Sequence, residues 1–220
     1  MTTTSAQLYL YHYVPGRAVA ATWSRIVEPV IEPITLAEAK DQTRYTTDDN
    51  NVNLNRYIKT AREAAEDTLN RGLLTQTWLL QRQQFSDVMA LPMAAPLQTD
   101  VSTAPLVQYY DINGVLQTLD STIYLVDAIN RPARLTLAPL QMWPSVQERR
   151  DDAVRITYVV GWQTPAQVPE RIKQGIRQYV AYLDAVRDGL DVQAHAAEQA
   201  AERCWIDRVY WNEACASALW

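Results

Sequence analysis

Val154-Arg155-Ile156-Thr157-Tyr158-Val159-Val160-Gly161 decides the fold class. Val154, Ile156, Tyr158 and Val160 alternate with Arg155, Thr157 and Val159. Successive side chains of a strand point to opposite faces, so this is a strand with one face firmly buried. A few residues later the period changes. Pro169 suits the first turn of a helix, and Ile172, Ile176, Tyr179, Val180 and Leu183 then fall on one helical face. Gly189 is the expected stop.

Upstream of that strand the texture is the same back to residue 74. Short runs of β-branched and aromatic residues are separated by Pro, Asp, Asn and Gly. Tyr109-Tyr110-Asp111-Ile112-Asn113-Gly114 followed by Val115-Leu116 predicts a hairpin around Asn113-Gly114. Ile123 to Val126 and Arg134 to Leu137 are further strand candidates, and Pro92, Pro96 and Pro105 predict a loop over about 90–105.

Before residue 74 the pattern is helical again. Thr35-Leu36-Ala37-Glu38 has the spacing of a capping box, in which the Thr hydroxyl and the Glu carboxylate satisfy each other's backbone N–H. Asp48-Asp49 opens a second helix at the positive end of its dipole. Its stripe is Leu54, Ile58, Ala61, Ala65 and Leu69, and Gly72 is the expected left-handed stop.

The expected architecture is therefore α+β: a helical bundle with an inserted antiparallel β subdomain and a C-terminal helical extension. Residues 1–32 read as an irregular, extended N-terminal arm rich in Tyr, Trp, Val and Pro. The central domain covers 33–190, with helices 35–44, 49–71 and 169–187 and the β insertion at 74–161. A helical tail spans 191–220.

Composition narrows the function classes. The chain has 220 residues, 48% hydrophobic and 20% charged, which suits a globular protein able to bury its own core. The net charge of -5 lacks the basic signature of a protein that grips nucleic acid through phosphates. It is compatible with a surface that lets DNA pass. Residues 1–30 do not read as a signal peptide, since no Lys or Arg precedes Arg17 and His12 breaks the apolar stretch Leu8 to Val14. No run of 18 apolar residues suggests a membrane span.

Chemistry-bearing patterns are few, and no catalytic, metal or cofactor site is expected. The two histidines, His12 and His195, lack the context of a catalytic base. Cys204 and Cys215 would lie about 16 Å apart on one helix, too far for a disulfide, and reduced thiols are expected. On that helix His195, Cys204 and Cys215 would spread over about 30 Å, too far to share a zinc ion. Asp111-Ile112-Asn113-Gly114 resembles the opening of a calcium loop, but the twelfth position is Thr122 rather than Glu, so a turn is the better reading. The six glycines are too scattered for a phosphate-binding loop. Glu63, Glu66 and Asp67 share a helix with Arg62 and Arg71 and read as a solvated or interface face. Arg149-Arg150-Asp151-Asp152 is charge-balanced.

Aromatic content says more. Seven Trp and twelve Tyr stand against one Phe, and Tyr and Trp are the aromatics of interfaces. Core packing is expected for Trp78 and Tyr158. The tail carries Trp205, Trp211 and Trp220 with few large aliphatics beyond Val209. An isolated helix of that kind is marginal unless it docks, so these four residues are the candidate partner interface.

The series Pro33-Ile34-Thr35-Leu36-Ala37-Glu38-Ala39-Lys40, an acidic turn, an Ala-rich helix to Gly72, and Thr75-Gln76-Thr77-Trp78 is followed by four further pieces. These are Tyr109-Tyr110-Asp111 with the Gly114 turn, Tyr124-Leu125-Val126-Asp127, the strand closing at Gly161, and Val168-Pro169 before Ile172-Lys173-Gln174. Over roughly residues 33–190 this order resembles the head–tail connector (adaptor) proteins of tailed bacteriophages and prophages. The resemblance implies a non-catalytic ring, commonly of twelve copies, docked beneath the portal protein. Such a ring extends the channel through which genomic DNA passes without sequence-specific binding, and offers a platform to tail, stopper or nozzle proteins. It also implies a place at the head–tail junction of a virion assembled in the host cytoplasm. The 30-residue lead and the Trp-bearing tail are additions to the family pattern. Two other classes stand beside it: a ligand- or carbohydrate-binding virion module using exposed Tyr and Trp, and a hydrolase built on acidic residues, for which the sequence offers no motif.

Overall fold

The computed structural model describes residues 9–12, 19–94, 104–187 and 198–199. The chain divides into two compact units, a β unit (the described residues of 1–28 with Thr75–Gly161) and a helical unit (Pro29–Leu74 with the described residues from Trp162 on). The class is α+β, as the sequence predicts.

In the helical unit, α1 is Leu36–Thr43, α2 is Asn51–Leu69 and α3 is Glu170–Arg187. The capping box forms as expected: Glu38 N–H donates to Thr35 Oγ1 at 3.2 Å, and Thr35 N–H donates to Glu38 Oε2 at 2.7 Å. The predicted stripe Leu54, Ile58, Ala61 and Ala65 is buried against Ile172, Ile176 and Val180 of α3 and Ala39 of α1. Two details differ from expectation. The second helix is capped at Asn50 with no side-chain cap bond, because the Asp48 carboxylate is taken by the Lys40 ammonium and the Asn51 amide. The left-handed stop of α2 is Asn70 (φ 49°), not Gly72. Asn tolerates that conformation better than other side-chain-bearing residues, and its N–H caps the carbonyls of Asp67 and Glu66.

The β unit holds two antiparallel sheets. Strands β1 (Tyr9–His12), β2 (Val19–Val27), β3 (Gln76–Arg82), β4 (Val88–Ala90), β5 (Leu106–Tyr110), β6 (Leu116–Thr118), β7 (Tyr124–Asp127), β8 (Arg134–Leu137) and β9 (Val154–Val160) follow in chain order. The larger sheet runs β1-β2-β3-β9-β5-β6 and the smaller β4-β8-β7. The alternation of 154–160 is realised in full, with Val154, Ile156, Tyr158 and Val160 buried and the residues between them half-buried.

The irregular arm expected over residues 1–32 needs correcting. Val19–Val27 is a regular strand paired antiparallel with β3 from Ala21 to Val27, with a bulge between Arg25 and Val27. Its Ala-Ala-Thr-Trp-Ser-Arg sequence carries little strand signal of its own. The pairing is set by a partner far along the chain, and Trp23 secures it by entering the core with Leu80, Ile156 and Tyr158. The hydroxyls of two buried tyrosines then hold the Pro-rich connection: Tyr158 donates to Pro92 O and Tyr124 to Pro105 O, both at 2.8 Å.

Candidate functional site

Two kinds of site are testable, a chemical centre and an assembly surface. Among the described residues no group of three His, Cys, Asp or Glu is placed to hold a metal ion, and no helix is long and apolar enough to cross a membrane. The candidate interface residues Trp205, Val209, Trp211 and Trp220, together with His195, Cys204 and Cys215, lie outside the described residues.

Of the acidic group on α2, Asp67 is exposed and Glu63 half-exposed, as a solvated or interface face would have them, whereas Glu66 is buried. Arg62 and Glu66 are each 1% exposed. Arg62 Nε donates to Glu32 Oε2 at 2.9 Å and its Nη1 to Glu66 Oε2 at 2.8 Å, with Glu63 at 3.6 Å. The second Glu66 oxygen accepts from the Leu73 N–H at 2.9 Å. Burial would lower the Arg62 pKa, but the surrounding carboxylates hold it above its ordinary value. For Glu32 burial outweighs its Arg62 partner and raises the carboxyl pKa. A signal was present in the sequence: Leu54, Ile58, Arg62 and Glu66 form one i+4 row, which continues the apolar stripe into charge. The network joins the segment before α1, the helix α2 and the turn after it.

The β unit buries a different cation. Arg82, on the core face of β3, is 7% exposed. Its Nη1 donates to Ser86 Oγ at 3.0 Å and its Nε has no partner. Burial alone lowers its pKa. Beside it Phe85 stacks on Trp143 at 4.6 Å and meets the edge of Tyr109 at 6.0 Å.

The hairpin expected at Asn113-Gly114 forms, with Gly114 at φ 77°. Asp111 takes the role expected of a turn residue. Its Oδ1 accepts from the N–H groups of Asn113 and Val115, both at 2.9 Å, and its Oδ2 from the Gln117 amide at 3.0 Å. These bonds, the Val115 N–H foremost, keep its pKa below the usual carboxylate value. Around the turn, Ile112, Val115 and Leu116 are exposed aliphatics, and all three residues of β6 are exposed.

The outer face of the larger sheet is nearly free of charge. Its rows read Ser24–Leu79–Thr157–Leu106 and Thr22–Gln81–Arg155–Gln108–Thr118, with Arg155 the one charged member of these two rows. Depletion of charge over a flat, partly apolar surface is a property of interface centres.

Three solved chains share this fold. One comes from the neck of an empty gene transfer agent (GTA) particle computed with C6 symmetry, at TM-score 0.56 and 18% identity, covering 71% of this chain and 82% of that one. A second, from the virion of a native gene transfer agent particle, has TM-score 0.57 and 18% identity over 72% and 81%. A third, from the neck of the native particle computed with C12 symmetry, has TM-score 0.53 and 18% identity over 71% and 81%. No family model matches the chain, and no curated protein does.

Proposed function

We propose that this chain is a structural neck protein of a phage-like virion: a head-to-tail adaptor that forms a ring, twelve copies by resemblance, beneath the portal. The ring would extend the DNA channel and carry the tail, stopper or nozzle protein, without catalysis or a cofactor. The observation that carries the reading is the shared fold with neck and virion chains over more than two thirds of this chain, from particles whose necks were computed with C6 or C12 symmetry. The net negative charge and the near-absence of charge on the outer sheet face agree with it: DNA is not gripped, and the face suits a neighbour. A carbohydrate-binding module is not favoured by the fold likeness.

The test is negative-stain imaging of the purified protein, alone and with the portal of its own phage. A ring stacked coaxially on the portal is expected. A small particle that ignores the portal would overturn the proposal and return weight to a ligand-binding module, to be screened by Trp fluorescence. Within this reading, Trp205, Val209, Trp211 and Trp220 form the portal contact. Deleting 191–220 should abolish docking while leaving the fold intact, and normal docking by the shortened chain would remove that role.

A further inference from the structure

We infer that copies of this chain join through the two edges of the larger sheet, β6 of one copy accepting β1 of the next, so that one antiparallel sheet runs around the assembly. This rests on the ring proposed above and names the contact that would close it.

The first support is the open edge. Asp111 N–H donates to Val115 O at 3.0 Å and Leu119 N–H to Val107 O at 2.8 Å, while Tyr109 lies opposite Gln117. Antiparallel pairs alternate, so Val115, Gln117 and Leu119 turn their backbone groups to β5, and Leu116 and Thr118 turn theirs to the open side. No described strand pairs there. Natural edges are usually blunted by shortness, charge, proline or a bulge. β6, Leu116-Gln117-Thr118, is short but carries no charge, proline or bulge; its Leu116 is exposed, and the exposed Ile112 and Val115 precede it. At the opposite edge, β1 lies in a stretch, Leu8 to Val14, that also lacks a carboxylate, a lysine or an arginine.

The second support is parity. Every neighbouring pair in the larger sheet is antiparallel, and the sheet has six strands. Directions therefore alternate from β1 to β6, and the two edge strands run in opposite senses. A second copy added in the same orientation brings its β1 antiparallel to β6, and the alternation continues without a fault. Cyclic symmetry requires such a head-to-tail contact, with two different surfaces on each copy and all copies the same way up. An odd number of strands would have forced a parallel junction.

Two experiments on the full chain test the contact, all variants also having Cys204 and Cys215 changed to Ser. In the first, Thr118→Cys protein is mixed with protein carrying Tyr9→Cys, Leu10→Cys or Tyr11→Cys in turn, under mild oxidation. A disulfide between the two kinds of copy is expected at one β1 position. Rings that form without any such link, or a Thr118→Cys protein that links only to itself, would overturn the inference, the latter in favour of a two-fold β6–β6 pair. In the second, Thr118→Pro removes an outward N–H and leaves the β5 bonds in place. Loss of the ring with an unchanged circular dichroism spectrum is expected, and normal rings would again overturn it. If the unaltered protein forms no ring even with portal, the functional proposal itself falls, an outcome distinct from rings that lack this contact.

Discussion

Among the described residues the helical unit buries Arg62 and Arg71 and the β unit buries Arg82, and of these Arg62 and Arg82 are opposites. Arg62 in the helical unit sits among Glu32, Glu63 and Glu66, and Glu66 is tied in turn to the backbone of Leu73. Arg82 in the β unit has one hydroxyl partner and an unpaired Nε. The first charge is met by carboxylates on several sides; the second has no carboxylate partner and lies on the core face of β3. The contrast shows that burial of a charge says little until the partner list is known, since removing one member of a buried pair strands the other.

The largest expected effect follows from that asymmetry. Arg62→Met should lower the free energy of unfolding by about 3–5 kcal/mol in urea titrations, because Glu66 is left charged and buried. Changing Glu66 to Met as well should recover part of the loss, the Leu73 N–H then lacking its acceptor; a double variant as unstable as the single one would mean that packing or this lost bond, not the stranded charge, is at issue. Next is Tyr158→Phe in the β unit. It leaves the Pro92 carbonyl without its donor and should cost about 1–3 kcal/mol. A thermal melt that shows no change would mean that this hydroxyl does not hold the Pro-rich connection.

Thr35→Ala should cost about 1 kcal/mol by removing the cap of α1. It also carries a pH signature. Burial pushes the Glu38 carboxyl up, but the Thr35 N–H and hydroxyl and the nearby Arg177 outweigh it, so the folded pKa lies below 4.5. The unfolded chain therefore takes up this proton first on acidification. The stabilisation is present above pH 4.5 and is lost as pH falls through the folded value. Thr35→Ala should flatten the acid limb of the stability curve, and an unchanged limb would count against the capping box. The smallest effect has the opposite sign. Arg82→Met should leave stability unchanged or raise it by up to about 1 kcal/mol, since Ser86 keeps its bond to Val88 O. A marked loss would show that Arg82 has an anionic partner in the assembled state.

Much of the fold could be read in the sequence where the signal is local. The strict alternation of 154–160, the i+4 stripe of α2 and the Thr35–Glu38 box each specify their element within a dozen residues. What was hidden depends on distant partners. β2 is a strand because β3 lies beside it, and Glu66 is buried because Arg62 and the Leu73 N–H receive it. For the candidate site the sequence pointed to the Trp-bearing tail, whereas the structure draws attention to an open strand of three ordinary residues, Leu116-Gln117-Thr118. An edge is a property of what is missing beside a strand, and no residue type announces it.

The splicing of the two units into one another has a consequence for synthesis. β2 leaves the ribosome with both α1 and α2 still to come before β3, and β3 must then wait for β9 to join it to β5. The helical unit in turn lacks its third side until α3 is made, directly after β9. The β core cannot close before β9, which ends at Val160, is translated, nor the helical core before α3, which ends at Arg187. A copy terminated before Val154 would thus present neither a finished sheet nor a finished bundle.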